Sequence, residues 1–213
     1  MNDRMDLSKY SDQPISTQVL LGLLRGYRRP YDKIMEMVNQ GILVQLRRGL
    51  YKTSPLVSTL TPEPFLIANH LYGASYISLD SALFHWGLIP ERVFEISSVT
   101  PRISKKIMVQ NAVYSFTHLP IAYYPLGIQS LSLTATQTVL IASPEKALCD
   151  KVITTAGVNL RSKQQAMAFL VEDLRIDKDQ LCEFNLREMI KWLPICPKKK
   201  SIHCIIDMIE MVS

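Results

Sequence analysis

The segment from Pro14 to Ser54 constrains the fold more than any other part of the chain. It reads PISTQVLLGLLRGYRRPYDKIMEMVNQGILVQLRRGLYKTS. Ser16 or Thr17 can cap a helix whose apolar positions Val19, Leu20, Leu23 and Leu24 recur at helical spacing, and Gly26 ends it. Arg28 and Arg29 occupy a short turn. Pro30 suits the first turn of a second helix, where its missing N–H costs nothing. That helix sets Ile34, Met37 and Val38 on one face and stops near Gly41. A strand over 42–46, a tight turn Arg47-Arg48-Gly49 and a return strand Leu50-Tyr51-Lys52 follow. Helix, turn, helix and two-stranded basic hairpin is the order of a winged helix-turn-helix. Three helices are usual in that fold, and the first would come from Asp3–Tyr10, which is short and weakly patterned.

The charge of the chain collects in the same place. The 213 residues carry 24 Lys+Arg and 19 Asp+Glu, a net +5. Between Arg25 and Lys52, 28 residues hold seven basic side chains and two acids, Asp32 and Glu36. The remaining 17 basic and 17 acidic residues balance, so the whole excess lies in one stretch. A patch that binds a polyanion has this form; a uniformly basic surface does not. In a winged helix, Arg28 and Arg29 would reach phosphates before the second helix. Tyr31 and Lys33 would meet base edges from its first turn. Arg47 and Arg48, with Lys52 behind them, would work from the wing. A solvated charged face is the plain alternative.

Other features bound the reading. With 47% hydrophobic and 20% charged residues, the chain is neither disordered nor collagen-like. Asp3, Asp6 and Asp12 stand where a signal peptide would be basic and apolar, and no apolar run could span a bilayer, so a cytoplasmic protein without a membrane partner is expected. Cys149, Cys182, Cys196 and Cys204 are widely and unequally spaced, which favours buried, reduced thiols over a zinc site. No HExxH, G-x-S-x-G, Walker A or G-x-G-x-x-G motif occurs, so neither an enzyme nor a cofactor is expected. Among acids, only Glu91, Glu95, Glu145 and Asp150 could serve a nuclease-like rival. His85, beside Trp86, reads as a hydrogen-bonded core or interface histidine.

Beyond a linker candidate at 54–60, Thr61-Pro62-Glu63 predicts a capped helix reaching about Tyr72. Strands are predicted over 75–78, 93–100, 106–109, 112–118, 121–124, 128–133 and 139–142, with a short helix Leu79–Trp86 between the first two. Ser143-Pro144-Glu145 repeats the capping pattern and opens a helix to about Thr155. There Glu145, Lys146, Asp150 and Lys151 read as ordinary capping with i,i+4 ion pairs. From Ser162 onward the chain looks helical, with segments near 162–174, 186–192 and 201–211. Lys198-Lys199-Lys200 reads most simply as an exposed loop, with a phosphate contact as the alternative. The expected fold is therefore α+β. A winged helix-turn-helix over 1–56 precedes a larger mixed α/β domain over 57–213, whose helical tail begins near 158.

Four segments resemble one family. They are Leu46-Arg47-Arg48-Gly49-Leu50-Tyr51; Ser75-Tyr76-Ile77-Ser78-Leu79-Asp80-Ser81-Ala82-Leu83 with Trp86-Gly87-Leu88; the strand ending in Val99-Thr100; and Ala142-Ser143-Pro144-Glu145-Lys146-Ala147-Leu148-Cys149-Asp150-Lys151. In these the chain resembles the AbiEi family of bacterial type IV antitoxins and transcriptional regulators. The resemblance implies an N-terminal winged helix that binds inverted repeats at the promoter of its own operon and represses it. It also implies a larger C-terminal domain that supplies antitoxin activity against a nucleotidyltransferase-like toxin, often without a stable complex. Only the wing and second-helix residues carry over as DNA contacts. The competing expectation is a protein-interaction module that neutralises a partner without binding DNA.

Overall fold

The computed structural model describes residues 7–91 and 93–212, which form a mixed α+β fold with nine α-helices and two sheets. Contacts divide the chain into two compact units. The first ends at Gly73 and also takes in Val109–Asn111 and Ser132–Val139; the second holds the rest from Ala74 onward. The expected boundary at 56/57 falls inside the first unit.

In the first unit a 3-10 turn, Leu7–Tyr10, precedes β1 (Ile15–Ser16), α1 (Thr17–Leu23), α2 (Pro30–Asn39), β2 (Leu43–Arg47), β3 (Leu50–Thr53) and α3 (Pro64–Leu71). Of the expected helix Asp3–Tyr10, residues 3–6 lie outside the described residues; 7–10 form that single turn. β1 and β2 flank β3, and both ladders are antiparallel. Leu7, Ile15, Leu20, Leu24, Ile34, Met37, Leu43 and Tyr51 share one buried cluster. The 54–60 segment folds back as turns rather than running free, with the Val57 N–H bonded to the Ser54 carbonyl.

α3 starts at Pro64, not at the predicted Pro62. The residue before a proline is kept out of the helical region, and Glu63 is accordingly extended. Gln137 then satisfies the non-helical backbone. Its Oε1 accepts from the Glu63 N–H at 2.7 Å, and its Nε2 donates to the Thr61 carbonyl at 3.2 Å.

The second sheet has the order β6-β7-β5-β4-β9-β8, from β4 (Tyr76–Ile77), β5 (Glu95–Thr100), β6 (Lys105–Val109), β7 (Ala112–His118), β8 (Ile128–Ser132) and β9 (Thr138–Ala142). β4 runs antiparallel to β5 and parallel to β9, while β5 and β7 are parallel. The predicted strand over 121–124 is instead a turn. Pro120 and Pro125 bracket it, and the Tyr123 and Tyr124 amides both donate back to the Pro120 carbonyl, at 3.0 and 2.9 Å. α4 (Leu79–His85) and α5 (Pro144–Thr154) follow β4 and β9. The tail is helical as predicted: α6 (Lys163–Met167), a π-type continuation Ala168–Asp173, α7 (Lys178–Cys182), α8 (Leu186–Trp192), a 3-10 turn Leu193–Ile195 and α9 (Lys199–Val212). No helix among the described residues is long and apolar enough to cross a membrane.

Candidate nucleic-acid interface

The scaffold of the basic cluster is set by local chemistry. The Ser16 hydroxyl caps α1 by accepting from the Val19 N–H at 3.3 Å. β1 ends at that cap, and the Thr17 N–H donates to the Gly49 carbonyl at the hairpin tip, at 3.0 Å. α1 ends at Leu23, three residues before Gly26, and Tyr27 turns back onto the Leu24 carbonyl. Pro30 opens α2 as predicted. Gly41, at φ +70°, closes it: the Ile42 N–H reaches the Met37 carbonyl at 2.9 Å. Ile34 and Met37 turn α2 inward, so Tyr31, Asp32, Met35, Glu36 and Asn39 form its exposed face.

The predicted contact residues fall into two groups. Arg28 and Arg29 are exposed in the turn before α2, and Tyr31 is 64% exposed in its first turn. Arg29 is paired with Asp32 at 2.7 Å, and Lys33 with Glu36 at 2.8 Å. The hydrogen bond to Glu36 raises the Lys33 pKa, and its counterpart lowers that of Glu36. Two of the four cationic or aromatic residues at this end of α2 are thus already engaged by acids on the helix's outer face. These exposed pairs contribute little to stability. The second group is the hairpin. Arg47 lies within β2 rather than in the turn; a bulge at Leu46 separates the pairs Gln45–Tyr51 and Arg47–Leu50. Its guanidinium donates to the Arg48 carbonyl at 3.2 Å and to the His70 carbonyl of α3 at 3.4 Å. Burial, and secondarily the Arg47 charge, lower the His70 pKa. The tip is Arg48-Gly49, with Arg48 exposed and Gly49 at φ +83°. Lys52 is half-buried on β3. Arg25, outside the predicted set, is exposed at the end of α1 and adds a cation to the first group.

A second constellation was not visible as such in the sequence. Lys146 and Asp150, read as an ordinary helical pair, are both fully buried, with Nζ 3.0 Å from Oδ1. The Asp150 Oδ2 accepts from the Tyr76 hydroxyl at 2.9 Å and the Ser78 hydroxyl at 2.7 Å. The Lys146 ammonium donates to the Tyr123 carbonyl at 3.2 Å and lies 3.3 Å from the centroid of that ring. Burial lowers the Lys146 pKa and raises those of Asp150 and Tyr76. Ser78 stands at the N-cap of α4, but its hydroxyl serves Asp150 and not the helix. Leu79 follows at φ +55°, a strained position for a branched side chain. Asp80 pairs with Lys151 at 2.7 Å, and the Trp86 indole donates to the Ala142 carbonyl at 2.9 Å. The segments 75–88 and 142–151 therefore meet through the buried Asp150 centre, with the partly exposed Asp80–Lys151 pair and the Trp86 indole beside it. The signal that could have exposed it is the company of the pair: Ala147, Leu148 and Cys149 leave no polar face between Lys146 and Asp150.

The remaining candidates disperse. Glu91 pairs with Arg175, Glu95 with Lys106, and Glu145 with the Ser143 hydroxyl and the Asn185 N–H. Among the described residues no group of three or more His, Cys, Asp or Glu could hold a metal. His85 is exposed, edge-on to Trp86, rather than in a core. Cys149 and Cys196 are buried thiols, and burial pushes Cys196 up to about 11; Cys182 is exposed and Cys204 half-buried. Lys198 is not a free loop cation. Its ammonium donates to the carbonyls of Val152, Thr155 and Val158 at 2.9, 2.8 and 2.8 Å, closing the C-terminal end of α5. No protein-family model matches the chain, and no curated protein matches it in sequence.

Proposed function

We propose that residues 15–53 are a winged helix-turn-helix that binds double-stranded DNA, with α2 as the major-groove helix and the β2–β3 hairpin as the wing. The observation that carries this reading is the exposure of Arg25, Arg28, Arg29 and Arg48 at the turn before α2 and at the hairpin tip, on elements sharing one core. The AbiEi resemblance extends it. The chain represses its own toxin-antitoxin operon from inverted repeats, acts in the cytoplasm, and counters a nucleotidyltransferase-like toxin without requiring a stable complex. The test is a gel shift on the protein's own upstream DNA. Wild type binds, and log K falls by roughly 0.9 per phosphate contact for each tenfold rise in salt. The variant R28E/R48E loses the shift while keeping its circular dichroism spectrum. Unchanged affinity in that variant overturns the reading.

Asp32 and Glu36 on the outer face of α2 favour a second reading, a protein-interaction module that neutralises a partner without reading DNA. It predicts toxin neutralisation on co-expression that survives R28E/R48E, with no gel shift by the wild type.

A further inference from the structure

In the second unit, residues 159–161 and the first turns of α9 enclose a cleft of about 660 Å³, a volume typical of small-molecule sites. Arg161, Lys200 and His203 line it, and no acid does. Neither the Arg161 guanidinium nor the Lys200 ammonium has a carboxylate partner among the described residues. His203 has one distant neighbour, Asp207, at 3.8 Å one turn further along α9 and outside the lining. Cations at the start of a helix oppose its dipole, so this accumulation is unfavourable unless an anion offsets it.

The walls are fixed in advance. The buried Ser201 hydroxyl accepts from the Leu160 N–H at 3.0 Å and donates to the Leu160 carbonyl at 3.4 Å. Lys198, through Val158, anchors the chain just before the cleft at 2.8 Å. A guanidinium fork and an ammonium on a rigid frame suit the several oxygens of a phosphate. The cleft is larger than one phosphate, and its apolar lining, including Leu160 and Cys204, leaves room for an organic group.

We propose that this cleft binds a small phosphate-bearing organic molecule of about nucleotide size. The site is separate from the DNA-binding reading and does not depend on it.

Cys204 is a built-in reporter, because it lines the cleft while Cys149 and Cys196 are buried. In a C182S background, neutral iodoacetamide alkylates Cys204, followed by intact-mass spectrometry at ionic strength held constant with KCl. ATP and pyrophosphate serve as probes at up to about 10 mM, and the expected protection is half-complete near or below 1 mM, roughly the range of metabolite sites. R161Q and K200Q each weaken half-protection by about tenfold, the loss of one charge-assisted contact. K163Q, on α6 and outside the lining, leaves it unchanged. Pyrophosphate protecting as well as ATP assigns the affinity to phosphate; stronger ATP protection adds the organic group. No protection by either probe overturns the proposal. So does protection that persists in R161Q/K200Q, or protection by a short DNA duplex but by neither probe.

Discussion

Acid–base pairs about one helical turn apart have opposite outcomes on α2 and α5. On α2, Arg29–Asp32 and Lys33–Glu36 are acid–base pairs one helical turn apart, set in solvent. On α5, Lys146–Asp150 is spaced by four residues rather than three and is wholly enclosed. Spacing alone makes a pair; the neighbours decide what the pair does. Around Asp32 stand Tyr31, Lys33 and Met35, and the pair is a loose, exchangeable arrangement. Around Asp150 stand Ala147, Leu148, Cys149 and Val152, all buried, and the pair becomes the polar centre that joins two distant segments.

The largest effect expected from breaking this contrast is at Asp150. D150N strands a buried ammonium and costs about 3–5 kcal/mol in urea unfolding, the range for one lost partner of a buried pair. The pH dependence gives the second signature. Burial already depresses the Lys146 pKa, and D150N removes the carboxylate that chiefly opposes it. A depressed lysine gives up its proton in the fold while the unfolded chain still holds one, so D150N regains stability relative to wild type as pH rises towards the ordinary lysine value of 10.5. The double variant K146M/D150L recovers most of the loss at neutral pH, because apolar replacement of a buried pair is often neutral. A double variant as unstable as D150N would show that the cost lies in the Tyr76 and Ser78 hydroxyls left without their acceptor, not in the stranded charge.

Next in size is Gly127, which faces the same centre. It sits at φ +60°, and an added Cβ would lie 2.8 Å from both the Lys146 Cβ and the Trp192 ring. Both clashes meet a full core, so G127A costs about 2–4 kcal/mol, from overpacking and the left-handed backbone together. Lys198 comes third. K198M removes three hydrogen bonds from the end of α5 and lowers stability by about 2 kcal/mol, read as a shift of the urea midpoint at constant slope. A change of slope would show that the tail has come apart from the rest of the unit.

The legible and illegible parts of the fold divide on the same physical line. Helix α2, the hairpin and the strand β7 were readable because period, proline and glycine act within a few residues. Pro30 starts α2 and Gly41 ends it for reasons contained in those residues themselves. Apart from the strand expected over 121–124, which local bonds to the Pro120 carbonyl make a turn, what failed depended on distant partners. α3 begins at Pro64 because Gln137, far along the chain, satisfies the backbone at Thr61 and Glu63. Ser78 stands at a cap but bonds Asp150, 72 residues away. Lys198 looked like surface charge, and three carbonyls between 152 and 158 claim it. Of the candidate interface, the cluster and its scaffold were legible; the partners that Asp32, Glu36 and the His70 carbonyl provide for its cations were not.

The smallest effect sharpens the exposed side of the comparison. D32N leaves Arg29 in place and removes its acid. Exposed pairs of this kind add little to stability, so the urea midpoint should stay with wild type. DNA affinity should rise by a few fold at low salt, because Arg29 no longer has to leave Asp32 to reach a phosphate. The salt dependence should steepen by about one counterion, since one more cation is available from the start. Fluorescence anisotropy on the upstream DNA at several KCl concentrations measures both. The opposite result, weaker binding with a flatter salt dependence, would mean that Asp32 itself touches the DNA, accepting from an exposed base amino group in the major groove. In that case the acidic face of α2 is the reading surface, and Arg29 is held where it is to aim Asp32.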